Sequence, residues 1–261
     1  MASSKDAFAK LCEIVRQLRS PNGCPWDREQ TNASLVPPLL EEAYEVAGAV
    51  YAQDDANLRE ELGDLLLLIV MHAQIASEEQ RFNIDEIARA INEKLIRRHP
   101  HVFGGNQVQG SEAVIRQWEA IKRDEKTGDT HYLASLPTAL PALMRAEKAQ
   151  KKAARVNFDW HDLRDVMAKV DEELEEAKRA VASAEPAKIV DEIGDLLFAV
   201  VNLARKCHFE AERLLQSATT KFIARFNEME DRLRARGGKL GEAPLEELDA
   251  IWQEIKADSK H

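Results

Sequence analysis

Two stretches of the sequence repeat one acidic pattern at fixed spacing. Glu41-Glu42-x-x-Glu45 is followed after 15 residues by Glu61-x-x-Asp64, and Glu172-Glu173-x-x-Glu176 is followed after the same 15 by Glu192-x-x-Asp195, each position displaced by 131. Residues three and four apart share one face of a helix. Glu42/Glu45 and Glu61/Asp64 therefore form two carboxylate pairs, as do Glu173/Glu176 and Glu192/Asp195. Short turns at Asp54-Asp55 and at Ser183-Ala184-Glu185-Pro186 predict antiparallel hairpins that bring each pair beside the next. Carboxylates so placed repel one another unless a cation offsets their charge. An all-oxygen set suits a hard divalent ion, Mg²⁺ first, with Mn²⁺ as the alternative.

The repeat runs beyond the carboxylates. Glu61-Leu-Gly-Asp-Leu-Leu66 matches Glu192-Ile-Gly-Asp-Leu-Leu197, and Lys94-x-x-x-Arg98 matches Lys221-x-x-x-Arg225. Trp118-Glu-Ala-Ile-Lys122 returns as Trp252-Gln-Glu-Ile-Lys256, and Trp26-Asp27 is echoed by Phe158-Asp159-Trp160. Acidic pairs, a basic pair and a tryptophan recur in one order, which is the mark of a duplicated domain. Periodicity near 3.6 dominates and no alternating strand pattern appears, so the fold class is all-α. Helices are expected at roughly 4–20, 32–52, 55–79, 84–99 and 111–126, then 137–152, 162–184, 186–208, 210–235 and 245–258. That makes two bundles of about four to five helices each. The polar stretch Lys126-Thr-Gly-Asp-Thr130 is the expected linker, dividing the chain into 1–128 and 129–261. Pro21-Asn22-Gly23 with Pro25, His99-Pro100, Gly104-Gly105-Asn106 and Gly237-Gly238 interrupt helices.

Composition narrows the function. With 261 residues, each half is long enough to bury a core, and 44% hydrophobic against 31% charged residues describes a soluble globular protein. A net charge of −10 argues against direct nucleic-acid binding. Cys12, Cys24 and Cys207 form no C-x-x-C pair, which disfavours a disulfide framework or a thiolate zinc site and fits a reducing cytoplasm. The N-terminus lacks a signal-peptide h-region and the apolar run Leu65–Met71 is too short to span a bilayer, so no membrane association is expected.

Each candidate group has a plainer alternative. E-rich helices are most often solvated. Here Glu61 and Asp64 precede Leu65-Leu-Leu-Leu-Ile-Val70, a segment apolar nearly all round, which predicts acidic turns lying near a core. Gly63 and Gly194 are costly in helices and predict a close approach of another backbone or a ligand. Lys94 with Arg98, and Lys221 with Arg225, read singly as surface charge; repeated after the acidic motif, they read as groups for a polyphosphate. Lys188, one turn before Glu192, is a further phosphate candidate. Trp118 and Trp252 suit base stacking, or equally core filling. No P-loop, dinucleotide-binding glycine motif or Glu-x-x-His ligand pair is present.

The combined motifs resemble those of the all-α nucleoside triphosphate pyrophosphohydrolases, and within them the two-copy MazG type. Supporting stretches are Asn22-Gly-Cys-Pro-Trp-Asp27, Leu40-Glu-Glu-x-x-Glu-Val46, Glu60-Glu-Leu-Gly-Asp-Leu-Leu66, Arg97-Arg-His-Pro-His-Val-Phe103 and Leu140-Pro-Ala-Leu-Met-Arg-Ala-x-Lys148. Asn157-Phe-Asp-Trp160 belongs with them, with Asn where Gly is expected. The resemblance implies tandem MazG-type bundles, a homodimer, and Mg²⁺-dependent hydrolysis of nucleoside triphosphates to monophosphate and pyrophosphate. By motif position it implies metal ligands Glu42, Glu45, Glu61 and Asp64 in the first copy and Glu173, Glu176, Glu192 and Asp195 in the second. It further implies nucleotide contacts at Lys221, Arg225 and Trp252, and activity carried by the second copy. Attack by water calls for a base, and Glu41 and Glu172 are the non-ligating carboxylates at hand for that or for an additional ion. Broad base specificity in nucleotide housekeeping is the expectation. Two alternatives remain at this stage: a pyrophosphatase restricted to one nucleotide, and a non-catalytic helical metal-binding scaffold or regulator.

Overall fold

A computed structural model describes residues 4–105, 110–125 and 131–258; Asn106 and the expected linker 126–130 lie outside these. The chain divides into two compact units, Met1–Gly128 and Asp129–His261. Among the described residues every regular element is a helix. The first unit holds α1 (Ser4–Leu18), α2 (Pro25–Glu29), α3 (Val36–Ala52), α4 (Asp55–Glu78), α5 (Ile84–Arg98), α6 (Pro100–Phe103) and α7 (Ser111–Asp124). The second holds α8 (Ala142–Ala154), α9 (Leu163–Ser183), α10 (Pro186–Lys206), α11 (Ala211–Ala235) and α12 (Leu245–Asp258). None of them is long and apolar enough to cross a membrane.

Each unit is organised around one tight helical hairpin, α3–α4 or α9–α10. Gln53 closes α3 in the left-handed region (φ 56°), and the Asp54 carboxylate then caps α4 by accepting from the Ala56 and Asn57 amides at 3.1 Å. In the second unit Ala184 turns left-handed (φ 54°) and Pro186 starts α10, where its missing N–H costs nothing. A two-residue turn leaves the chain no alternative to antiparallel packing. α1 packs on α4, and α8 packs on α10 and α11.

Small differences from the sequence reading have local causes. α3 begins at Val36 instead of 32 because Thr31 and Ser34 exchange side-chain-to-backbone hydrogen bonds of 2.9 and 3.1 Å, holding a turn. α8 begins at Ala142, not 137, since Pro141 caps it in an extended conformation. Pro25 and Pro100 open the short α2 and α6, helices the sequence reading did not include. Asn157 sits at φ 65°, a left-handed position where Gly is easiest and Asn is the best-tolerated substitute.

The first unit's core gathers Val15, Leu35, Leu68, Val70, Met71 and Ile75 from α1, the α2–α3 connection and α4. The second has two smaller clusters: Val201, Ala204 and Ala211 where α8, α10 and α11 meet, and Met229, Leu233, Ile251 and Ile255 between α11 and α12. The run Leu65–Val70 is not enclosed on all sides as expected. Leu68 and Val70 are buried, but Leu66 and Ile69 remain 38% and 40% exposed. One chain covers only one side of this helix. The expected close approach at Gly63 and Gly194 is likewise absent within the chain, for an added Cβ at either would meet no atom within 4 Å.

Buried polar groups fasten the frame. Arg19, whose side chain is 6% exposed, pairs with Glu78 at 2.8 Å and donates to the Asp27 and Gln30 carbonyls, fixing α2 to α4. In the second unit Lys152 donates to the Tyr132 carbonyl at 2.8 Å and Ser135 Oγ at 2.9 Å, with its ammonium 4.8 Å from the Tyr132 ring centre. Gln150 donates to the Phe198 carbonyl of α10 at 2.9 Å. Ile251 is fully buried between α11 and α12, so Ile251→Ala should cost about 2–5 kcal/mol through the cavity it leaves. A lowered urea midpoint for the full chain is the corresponding measurement.

Candidate active site

The α9–α10 hairpin places Glu172, Glu173 and Glu176 along one helix and Glu192 and Asp195 along the other. Carboxylate oxygens of Glu173, Glu176 and Glu192 lie within 4.8 Å of one another. Glu173 is 6% exposed, a position where a carboxylate needs a partner. Lys169 supplies one, bonding Glu173 at 2.7 Å and Glu172 at 2.8 Å from a single ammonium. Those two interactions, Glu172 first, hold the Lys169 pKa well above that of an ordinary lysine. Glu176 takes a 3.2 Å contact from Arg179. Glu192 is pushed up, first by burial and then by Glu176, Asp191, Glu173 and Asp195.

The first unit builds the same triad from Glu42, Glu45 and Glu61, again within 4.8 Å. Its electrostatics differ. Burial, Glu45 and Asp64 raise Glu42, and burial with Glu45 and Glu42 raises Glu61. The buried Oε2 of Glu42 accepts no hydrogen bond. The position equivalent to Lys169 is Pro38, and the position equivalent to Lys188 is Asn57. The second copy thus carries two lysines beside its carboxylates that the first does not.

Both triads fit a hard divalent cation by their donor chemistry: three convergent carboxylates, no nitrogen or sulfur, and surplus negative charge at the centre. Asp64 and Asp195 are exposed and stand outside the tight triads, although their charges still act on Glu42 and Glu192. Glu41 and Glu172 are exposed beside them. Lys188 is engaged with Glu185 at 2.8 Å on the exposed start of α10.

The basic and aromatic candidates lie on the hairpins that follow. Lys221 and Arg225 are on α11 and form no ion pair among the described residues. Trp252 on α12 is half-buried against the Met229–Ile255 cluster, with its ring centroid 5.4 Å from that of Phe222. α12 packs on α11, and α11 in turn on α8 and α10; the quartet on α9 and α10 is therefore not assembled with Trp252 by direct packing of these helices. In the first unit Lys94 is exposed on α5, whereas Arg98 is held by Glu125 and lies 5.3 Å from the centre of Trp118. Sequence reasoning missed both Lys169 and Glu125. Lys169 was visible in principle, since lysine three and four residues before Glu172 and Glu173 is a helical ion-pair spacing. Glu125 is distant in sequence from its arginines, and only the fold brings them together.

All-helical hairpins carrying duplicated carboxylate triads define a helical, metal-binding class of protein, and comparison with known proteins narrows it. The model of the MazG nucleotide pyrophosphohydrolase domain matches residues 30–103 and 162–229. A nucleoside triphosphate pyrophosphohydrolase of Escherichia coli K12 is 47% identical over 95% of this chain and 96% of its own. A nucleoside triphosphate pyrophosphohydrolase/pyrophosphatase MazG of Thermotoga maritima is 44% identical, covering 95% of both chains. The chain belongs to the MazG nucleotide pyrophosphohydrolase family, with the domain present twice, and is an enzyme of that class. The reading as a non-catalytic scaffold is thereby set aside.

The raised carboxylates make a sign-definite prediction. Glu42, Glu61 and Glu192 bind protons more tightly when the chain is folded, so their clustering is least unfavourable at low pH. It destabilises progressively as pH rises through their elevated pKa values. In chelator, melting temperature should therefore fall from this source as pH rises above the ordinary glutamate range. Added Mg²⁺ should reverse the drop, and Glu192→Gln should shrink both effects; thermal melts at each pH give the measurement.

Proposed function

We propose that the second unit hydrolyses nucleoside triphosphates to the monophosphate and pyrophosphate with Mg²⁺ held by Glu173, Glu176, Glu192 and Asp195. The observation that carries this reading is the convergence of Glu173, Glu176 and Glu192 with Lys169 beside them, in a chain of this family. A divalent ion held by these carboxylates would supply a water of lowered pKa and offset phosphate charge. The chain's own residues do the remainder. Lys169 aims Glu173 through their 2.7 Å contact, and fixes Glu172 at the solvent edge of the site. Only one Glu172 oxygen is engaged by Lys169, leaving the second to accept a proton from water. Lys188, Lys221 and Arg225 offset charge on the departing pyrophosphate. Lys188 exchanges its exposed contact with Glu185 for the substrate, at little cost for a surface ion pair.

Broad base acceptance fits the aromatic surface of Trp252 and Phe222, because stacking engages the π-face that every base presents. The narrower reading, a single preferred nucleotide, requires polar groups that read base edges. Nucleotide housekeeping in the cytoplasm, without nucleic-acid partners, agrees with the acidic surface and with three free thiols. In the first unit Glu42, Glu45, Glu61 and Asp64 would hold an ion, with Lys94, Arg98 and Trp118 as the corresponding nucleotide groups and Glu41 as the matching base. Pro38 and Asn57 leave that copy without the lysines the reaction uses.

A homodimer is the assembly we favour. On α9 and α10, Leu174, Val181, Ile193, Leu197 and Val200 are 40–58% exposed, and the isologous packing of a second copy would cover them.

Two experiments test these proposals. A panel of the eight common NTPs and dNTPs with Mg²⁺, separating pyrophosphate from orthophosphate, should give pyrophosphate from several bases. Glu173→Ala or Asp195→Ala should cut its release by roughly a hundredfold or more, while Glu42→Ala keeps most of it. A dead Glu42→Ala beside an active Glu173→Ala would reverse the assignment of the two units. For the assembly, light scattering should report twice the chain mass for the wild type, and Leu197→Glu should shift it toward the monomer.

A further inference from the structure

The basic pair and tryptophan occur in both units, but their surroundings are not the same. On α11, Lys221 and Arg225 have no ion-pair partner among the described residues. On α5, Arg98 donates from Nε to both oxygens of Glu125 at 3.2 and 3.1 Å, and its terminal nitrogen bonds the same carboxylate. Arg97 donates to Glu125 as well, at 2.7 Å. The Arg98 guanidinium lies over the Trp118 ring, and His99 meets that ring edge-on at 4.8 Å. Two arginines bonded to one carboxylate, with the guanidinium of Arg98 over an indole, resemble the contacts arginine offers a phosphate ester.

Glu125 directly follows the last residue of α7. Its pair with Arg98 is largely shielded, at 20% and 13% side-chain exposure. Hydrogen bonds from Arg98 and then Arg97 lower its pKa to about 2, so it stays charged throughout the physiological range. Aligning the two units on Trp118 and Trp252 sets Ser259 opposite Glu125, so the second copy has no carboxylate at that position. Ser259 itself lies outside the described residues.

We propose that Arg97, Arg98 and Trp118 form a nucleotide-phosphate pocket in the first unit, and that Glu125 occupies it as an internal ligand. The pocket takes an anionic nucleotide only when that carboxylate is displaced. An intramolecular anion at the site reduces apparent affinity by the fraction of molecules in which the pocket is open. Opening it would give the chain a second nucleotide site, distinct from the one that turns substrate over. This inference rests on the reading that Lys221, Arg225 and Trp252 contact nucleotide in the second unit.

The test uses the full chain carrying Lys221→Ala and Arg225→Ala to weaken the second site. The probe is an ATP analogue with a methylene group between the α and β phosphorus atoms, titrated calorimetrically with Mg²⁺. Adding Glu125→Gln should tighten binding at least about tenfold, and adding Arg98→Met on top should abolish the gain. No gain in a Glu125→Gln chain with native melting, or a gain that survives Arg98→Met, overturns the proposal. If Glu125→Gln loosens α7, then Glu125→Asp, too short to serve both arginines fully, must give an intermediate gain with native melting; its absence also overturns the proposal. The effect is a difference between chains with and without the Glu125 change, so residual binding in the background does not obscure it. Unaltered binding after Lys221→Ala and Arg225→Ala alone counts instead against the reading of the second unit.

Discussion

Repulsion among carboxylates on adjoining helices is the constraint around which each unit is built. A two-residue turn closes each hairpin, with Asp54 capping α4 in the first unit and Pro186 opening α10 in the second, and closure brings three glutamates to within 4.8 Å. Left alone, such a cluster opposes the fold that creates it. The two units offset this differently. The second places the Lys169 ammonium between Glu172 and Glu173, so that part of the charge is balanced from within the chain. The first has Pro38 there, and the pKa values of Glu42 and Glu61 are raised, as that of Glu192 is in the second.

That contrast orders the remaining differences. Where the carboxylates have lysine neighbours, the downstream cations Lys221 and Arg225 are unpaired among the described residues. Where the lysines are missing, Arg97 and Arg98 are committed to Glu125. One copy leaves Lys221 and Arg225 without an ion-pair partner among the described residues. The other retains its acidic centre but turns its arginines toward a residue of its own.

Much of this was legible in the sequence because it rests on local rules. The spacing of Glu42, Glu45 and Glu61 fixes their helical face, and Asp54 and Pro186 mark where the hairpins turn, so the acidic triads follow without reference to tertiary structure. What the sequence concealed depends on contacts between distant residues or on uncovered surface. Glu125 meets Arg98 only through the packing of α5 and α7. The run Leu65–Val70 implied complete enclosure, because periodicity reports how apolar a helix is and not which molecule covers it. Gly63 and Gly194 follow the same rule: an added Cβ at either would meet no atom within 4 Å, so the expected approach of another backbone is not made within the chain. The short α2 and α6 were masked by prolines read as stops, when each proline in fact starts a helix.

The buried ammonium of Lys152 has a consequence for dissecting the two halves. Its acceptors, the Tyr132 carbonyl and Ser135 Oγ, precede α8 and lie outside any regular helix. Cutting the chain at the visible start of that helix would remove both of these acceptors from a buried lysine, at a cost to stability. The stretch 131–135 is thus an integral part of the C-terminal half rather than dispensable tether, and fragments meant to stand alone must retain it.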